Sequence, residues 1–175
     1  MASFFERLVG AAFLNADAYS EIERDDEAVG QAAMVVVLSS LAGAMSTLRD
    51  DGIIAFAATA VLALVSWVAW AGACHYVGTT LLAEPATQAE LADVMRTLGF
   101  SAAPGLLRVL IILPVIGPIF YIVGSLWMMA SMVVALKVSL DYSGYIRPII
   151  VCLLSSIVYW LMLIGLGFLL IAALQ

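Results

Sequence analysis

Positive charge is scarce in this chain: seven Lys and Arg residues stand against thirteen Asp and Glu, a net charge of −6. No nucleic-acid partner is expected, because phosphate backbones require basic patches, and there is no Lys/Arg cluster to recognise anionic head groups. His75 is the one histidine; a metal site needs several ligands, and none is expected, nor any cofactor. Cys74 and Cys152 have neither metal-ligand spacing nor a redox partner, so buried thiols are the default. The phosphate-cradling GxxxxGK[ST], the GxSxG elbow and the HExxH helix are missing, so nothing in the chain points to an enzyme. Polar surface is short as well: 65% of residues are hydrophobic and 11% charged, with a mean hydropathy of +1.11. That composition describes an integral membrane protein of one domain. Its 175 residues hold about five helices of roughly 20 residues, the length that crosses a ~30 Å hydrocarbon core.

What is present runs in order. Phe4, Phe5, Leu8, Ala12 and Phe13 share a helical face, with Glu6, Arg7 and Asn15 off it, which predicts a short interfacial amphipathic helix. The start Met1-Ala2-Ser3-Phe4-Phe5-Glu6-Arg7 lacks the order of a cleaved signal peptide and is expected to stay attached. Glu21, Glu23, Asp25, Asp26 and Glu27 follow, and two readings stay open. They are a solvated lead-in to the first span, favoured by the helix dipole, or a docking patch for a basic partner surface. Residues 1–27 thus form a cytoplasmic amphipathic and acidic segment, and 28–175 a membrane domain.

The membrane domain reads as five spans, at about 28–48, 53–76, 104–118, 119–139 and 149–174. Small residues, among them Ser39, Gly43, Ala73, Gly124, Ser131 and Ala135, predict close helix packing in lipid. The centre of the chain is Pro85–Asp141. Thr87 with Glu90 predicts a capping box, and Leu91, Val94, Met95 and Leu98 the apolar face of a second interfacial helix ended by Gly99. From Pro104 to Leu113 an α-helix climbs only about 15 Å, half the hydrocarbon thickness. Pro104, Pro114, Gly117 and Pro118 therefore mark a helix break, either a tight interhelical turn or a broken-helix substrate site.

Two arginines stand out. Arg108 is the one charge placed inside a span; it is expected to snorkel to the cytoplasmic surface or pair with Asp93 or Glu90, or else to join Arg96 in a two-cation seat for a lipid phosphate. Asp, Glu and His are missing from the expected span interiors, which argues against ion-coupled transport. Counting Arg7, Arg24, Arg96, Arg108, Lys137 and Arg147 on one side and Arg49 on the other puts the N-terminus in the cytoplasm and the C-terminus outside.

Five spans, a cytoplasmic N-terminus and the segment Arg96-Thr97-Leu98-Gly99-Phe100-Ser101-Ala102-Ala103-Pro104 resemble the Yip/Yif family of small membrane proteins. Tyr19-Ser20-Glu21-Ile22-Glu23-Arg24-Asp25 with Gly30-Gln31-Ala32, and Ser125-Leu126-Trp127, resemble its prokaryotic branch. The resemblance implies the fold and a prokaryotic plasma-membrane location, but no established chemistry. Eukaryotic members bind Rab-type GTPases and carry an acidic-Leu-Gly-Pro element in a longer tail; that element is missing here, so a Rab partner is not expected. Two functions remain open: a non-enzymatic scaffold, adaptor or accessory subunit that binds itself or another membrane protein, and a lipid- or small-solute-moving protein built on the Pro114–Pro118 break. Membrane lipids are partners in either.

Overall fold

Large apolar side chains cover much of the outer surface, and the interior mixes small residues with a few large ones. A computed structural model of the chain describes residues 2–45, 48 and 51–173, with side chains as far as residue 165. Among the described residues there is no strand. The helices are α1 (Phe4–Ala12), α2 (Ala16–Glu23), α3 (Ala28–Gly43), α4 (Gly52–Tyr76), α5 (Leu91–Phe100), α6 (Gly117–Ser139) and α7 (Ile146–Ala173). A π-helical turn, Val77–Leu81, extends α4, and a 3₁₀ segment, Ala103–Ile112, follows α5. Ala32, Val35, Ala71, Cys74, Leu98, Phe100, Ala135 and Leu136 are buried, whereas Ile54, Leu62, Val65, Ile122, Leu126, Leu153 and Leu161 are exposed. An apolar surface of that extent is stable only against lipid.

Among the described residues four helical stretches are long and apolar enough to cross a membrane: Gly52–Leu81, Leu91–Ile112, Gly117–Ser139 and Ile146–Gly165. The helix α3 has 16 residues and falls short of that length by itself. Ser46 and Thr47 of the expected first span, Arg49 and Asp50 of the following turn, and Leu174 and Gln175 at the end of the expected fifth lie outside the described residues.

The third stretch departs from the sequence reading. It starts at Leu91 rather than Pro104, and α5 is packed into the bundle rather than lying on its surface: Val94, Arg96, Thr97, Leu98, Gly99 and Phe100 are all buried. The missing reach is supplied twice over, because α5 adds about 15 Å ahead of Pro104, and the 3₁₀ segment rises roughly 2 Å per residue instead of 1.5. The Thr87–Glu90 capping box does not form. Thr87 Oγ1 instead donates to Leu140 O at 2.8 Å, and the Glu90 N–H donates to Asp93 Oδ2 at 2.7 Å. Gly99 does not end the helix either. A Cβ there would lie 2.5 Å from Ala32 Cβ, so this glycine lets α5 and α3 touch backbone to backbone.

Pro114–Pro118 forms the tight turn of the two alternatives. Gly117 N–H donates to Leu113 O at 2.9 Å and Ile116 N–H to Pro114 O at 2.8 Å, and Pro118 sits in the first turn of α6, where its missing N–H costs nothing. The turn places Val115 at φ 71°, 90% exposed.

Residues 2–27 are a folded part of the bundle. Ser3 and Glu6 form a capping box on α1; Asn15 N–H to Gly10 O and Leu14 N–H to Ala11 O close its far end as a Schellman motif, with Leu14 at φ 62°. The chain then reverses into α2. Tyr19 Oη lies 2.6 Å from Ser131 Oγ of α6, and that hydroxyl donates on to Ala11 O at 3.1 Å, so one buried contact joins α1, α2 and α6.

Two substitutions test this packing. Gly99→Ala raises intrinsic helix propensity by about 1 kcal/mol, yet overpacking against Ala32 is expected to lower stability by about 1–3 kcal/mol; a higher thermal midpoint in detergent would disprove the close contact. Val115→Gly relieves a left-handed β-branched residue and is expected to stabilise by about 1 kcal/mol after the entropy of glycine is subtracted.

Candidate functional site

Two groups of polar side chains interrupt the apolar interior, one at each end of the bundle. The first is built on Arg7 and Arg96, which are 2% and 5% exposed. Arg7 was expected on the outer face of α1; it points inward, Nη1 to Asp25 Oδ2 at 2.6 Å and Nη2 to Glu21 Oε1 at 3.2 Å. Arg96 pairs through Nη1 with Asp26 Oδ1 at 2.8 Å and through Nη2 with Asp93 Oδ1 at 2.5 Å. Each buried guanidinium thus meets two carboxylates, as burial of a charge requires. Glu21, Asp25 and Asp26 of the acidic segment are engaged within the chain, Glu23 is half-buried, and Glu27 is exposed. Hydrogen bonds from Arg7 hold the Asp25 carboxyl below its usual range, as the Ala2 N–H and then Arg7 do for Glu21.

The second group surrounds Arg108, in the 3₁₀ segment near the opposite end. Its Nε–H donates to Gly105 O at 3.1 Å, and Nη2 to Ser39 O at 3.0 Å and Ser39 Oγ at 3.1 Å. The guanidinium carbon lies 5.8 Å from the centre of the Tyr121 ring. No carboxylate among the described residues pairs with it. Three glycines make room for this side chain. A Cβ at Gly124 would stand 3.1 Å from Arg108 Cγ, one at Gly43 3.2 Å from Cζ, and one at Gly105 3.1 Å from Nη2. Gly43 is the last residue of α3 and Tyr121 lies in the first turns of α6. Arg108 thus lies in the part of the stretch remote from Asp93 and Glu90, held at the level of Gly105, Ser39 and Gly43, and neither expected partner bonds to it.

Arg108 also lines an open crevice of about 340 Å³ between α3, α4, the α5–3₁₀ stretch, α6 and α7. Its walls are Val36, Ala63, Trp67, Leu98, Met128 and Met132, with Ser39, Ser40, Ser66, Ser101 and Tyr159 supplying polar atoms. The Trp67 indole N–H donates to Met95 O at 3.2 Å, whereas the buried Trp70 indole N–H, also on the wall, has no partner among the described residues. A second cavity of about 420 Å³ between α4, α6 and α7 shares Trp70 and Met132 with the first. Pro114, Gly117 and Pro118 line neither.

The structure does not bring Arg96 and Arg108 together. They have no common partner and stand roughly 20 Å apart along the α5–3₁₀ stretch, taking 1.5 Å per α-helical and 2.0 Å per 3₁₀ residue. His75 Nε2 lies 3.1 Å from Ala89 O, and Ser125 Oγ donates to Tyr121 O of its own helix at 2.8 Å. Sequence reasoning flagged Arg108 but missed Ser39 as its partner and the three glycines as its housing. The glycines carried a signal, small residues in apolar helices, that reads as helix packing and not as space for a cation.

Burial, and next the carboxylates of Asp141 and Asp93, push the Glu23 carboxyl up to about 7 against the opposing pull of Arg24 and Arg96. The folded chain thus binds this proton more tightly than the unfolded chain, and the stability it contributes is present at low pH and lost as pH rises through about 7. The thermal midpoint is expected to fall between about pH 5 and about pH 8, and Glu23→Gln to remove most of that fall; an unaltered pH profile in the variant would exclude Glu23 as its source. Comparison of the chain with family models, curated proteins and solved structures finds no match.

Proposed function

We propose that this is a non-enzymatic multi-pass membrane protein that binds a membrane lipid in the crevice between its helices. One observation carries the reading: an open cavity of about 340 Å³ runs beside a cation in a bundle whose outer face is apolar. Across Trp70 and Met132 lies a second cavity of about 420 Å³, walled almost wholly by apolar side chains. Space of that kind takes an acyl chain, and methionines at 128, 129 and 132 adapt to one without a fixed shape. The lipid-handling reading of the sequence is kept and moved from the Pro114–Pro118 break to the crevice. The adaptor reading has less support, since three of the five acidic residues offered for docking already pair with arginines of the chain, although Asp26 stays exposed.

A five-span, Yip/Yif-like arrangement with a cytoplasmic N-terminus in a prokaryotic plasma membrane is part of the proposal. Support for α3 as a span comes from two contacts: Ala32 meets Gly99 near the Arg96 level and Gly43 meets Arg108 farther along, so α3 runs beside the α5–3₁₀ stretch from Gly99 to Arg108. Support for orientation comes from Arg7, Arg24, Arg96, Lys137 and Arg147, which gather at one end. Arg108 leaves the count made from sequence, because it lies toward the opposite end.

Native mass spectrometry of the protein released from its own membrane is expected to show a retained lipid, and Ala63→Phe, which fills the crevice wall, to lose it while helical content stays unchanged. Retention of the same lipids by both proteins would end the reading.

A further inference from the structure

The chain treats its three inward-lying arginines, Arg7 and Arg96 buried and Arg108 half-buried, unequally. Arg7 and Arg96 are each neutralised by two carboxylates, while Arg108 is given only the neutral acceptors Gly105 O, Ser39 O and Ser39 Oγ. For its Nη1 no acceptor is found among the described residues. A structural tie between helices needs no charge at that point; serine or asparagine would serve, at lower desolvation cost. Instead glycines from α3, the 3₁₀ segment and α6 are placed against Cζ, Nη2 and Cγ, which fixes the side chain along the crevice wall. Arg108 lines the crevice with donors left over, and a guanidinium fork matches a carboxylate or a phosphate oxygen.

We propose that Arg108, positioned by Ser39, recognises the anionic head of the amphiphile held in the crevice, and that this head lies at the end of the bundle marked by the Pro114–Pro118 turn. The inference rests on the lipid-binding reading above and adds the charge and the direction of the ligand. The acyl chain then runs from Arg108 past Trp67 and Trp70 toward Met132. Gly124, against Arg108, and Met132 are eight residues apart on α6, about 12 Å at 1.5 Å per residue. The unpartnered Trp70 indole N–H lies on the same wall. The head therefore belongs to the leaflet opposite the Arg7 and Arg96 end, which is the outer one in the proposed orientation.

Tryptophan quenching by brominated chains tests this on the full chain in non-ionic detergent. Trp127→Phe and Trp160→Phe, on the outer face of the bundle, leave Trp67 and Trp70 as reporters. Ionised dibromostearate is expected to quench at concentrations about tenfold below its methyl ester, a difference worth about 1.4 kcal/mol. Arg108→Gln removes that preference, and Arg108→Lys, which keeps the charge without the fork, restores part of it. Thermal midpoints measured in parallel identify a variant that fails to fold, and Ser39→Ala, which leaves Arg108 in place, is expected to weaken the acid and not the ester. Equal quenching by acid and ester would overturn the headgroup assignment and leave the crevice as a lipid site. No quenching by either would overturn both. Displacement of the acid by millimolar inorganic phosphate would assign the site to a free anion and overturn the amphiphile.

Discussion

Close approach of helix backbones is the condition on which the rest of this structure depends. In lipid, large apolar side chains gain nothing by turning inward, so helices associate where small residues allow dense contact and where polar groups find partners. The bundle follows that rule at Gly99 against Ala32, Gly78 against Leu140 and Gly105 against Ser39, where a Cβ would stand 2.1–2.6 Å from its neighbour. The same contacts bring polar groups of distant segments within bonding range. Ser39 reaches Arg108 because Gly105 has no side chain between them.

The N-terminal segment is held by this arrangement and also completes it. α1 and α2 fold back through a Schellman turn at Leu14 and bury Arg7 between Glu21 and Asp25. Three carboxylates of the acidic segment are thereby given partners within the chain, with Asp26 reaching across to Arg96 in α5. A run of charge that looks solvated in one dimension is largely a set of counter-ions in three. Arg108 stands outside that distribution, with no carboxylate paired to it among the described residues, and the crevice beside it is a place where the bundle is unfilled.

Several elements could be read directly from residue order. α4, α6 and α7 begin within three residues of their expected positions, because long apolar runs bounded by Gly, Pro and charge have few alternatives. The inward face of α6 was equally legible, since Gly124, Ser131 and Ala135 recur at helical spacing and all three are buried. Other readings failed for a common reason. Thr87 fits a capping box, yet its hydroxyl bonds Leu140, 53 residues away; Gly99 fits a helix end, yet it serves a contact with Ala32. Local rules give each residue its best local partner, and a distant partner that outcompetes it leaves no mark nearby.

Composition and periodicity by themselves determined the membrane class and the all-helical architecture, because these follow from how each residue partitions between water and hydrocarbon. Only the tertiary structure decided which cations are neutralised, where the third long stretch begins and which end of the bundle Arg108 faces. Those depend on distances between segments remote in sequence: Arg96 finds Asp26 and Arg108 finds Ser39 across 70 and 69 residues, and no local pattern encodes which of several carboxylates will lie within reach of a guanidinium.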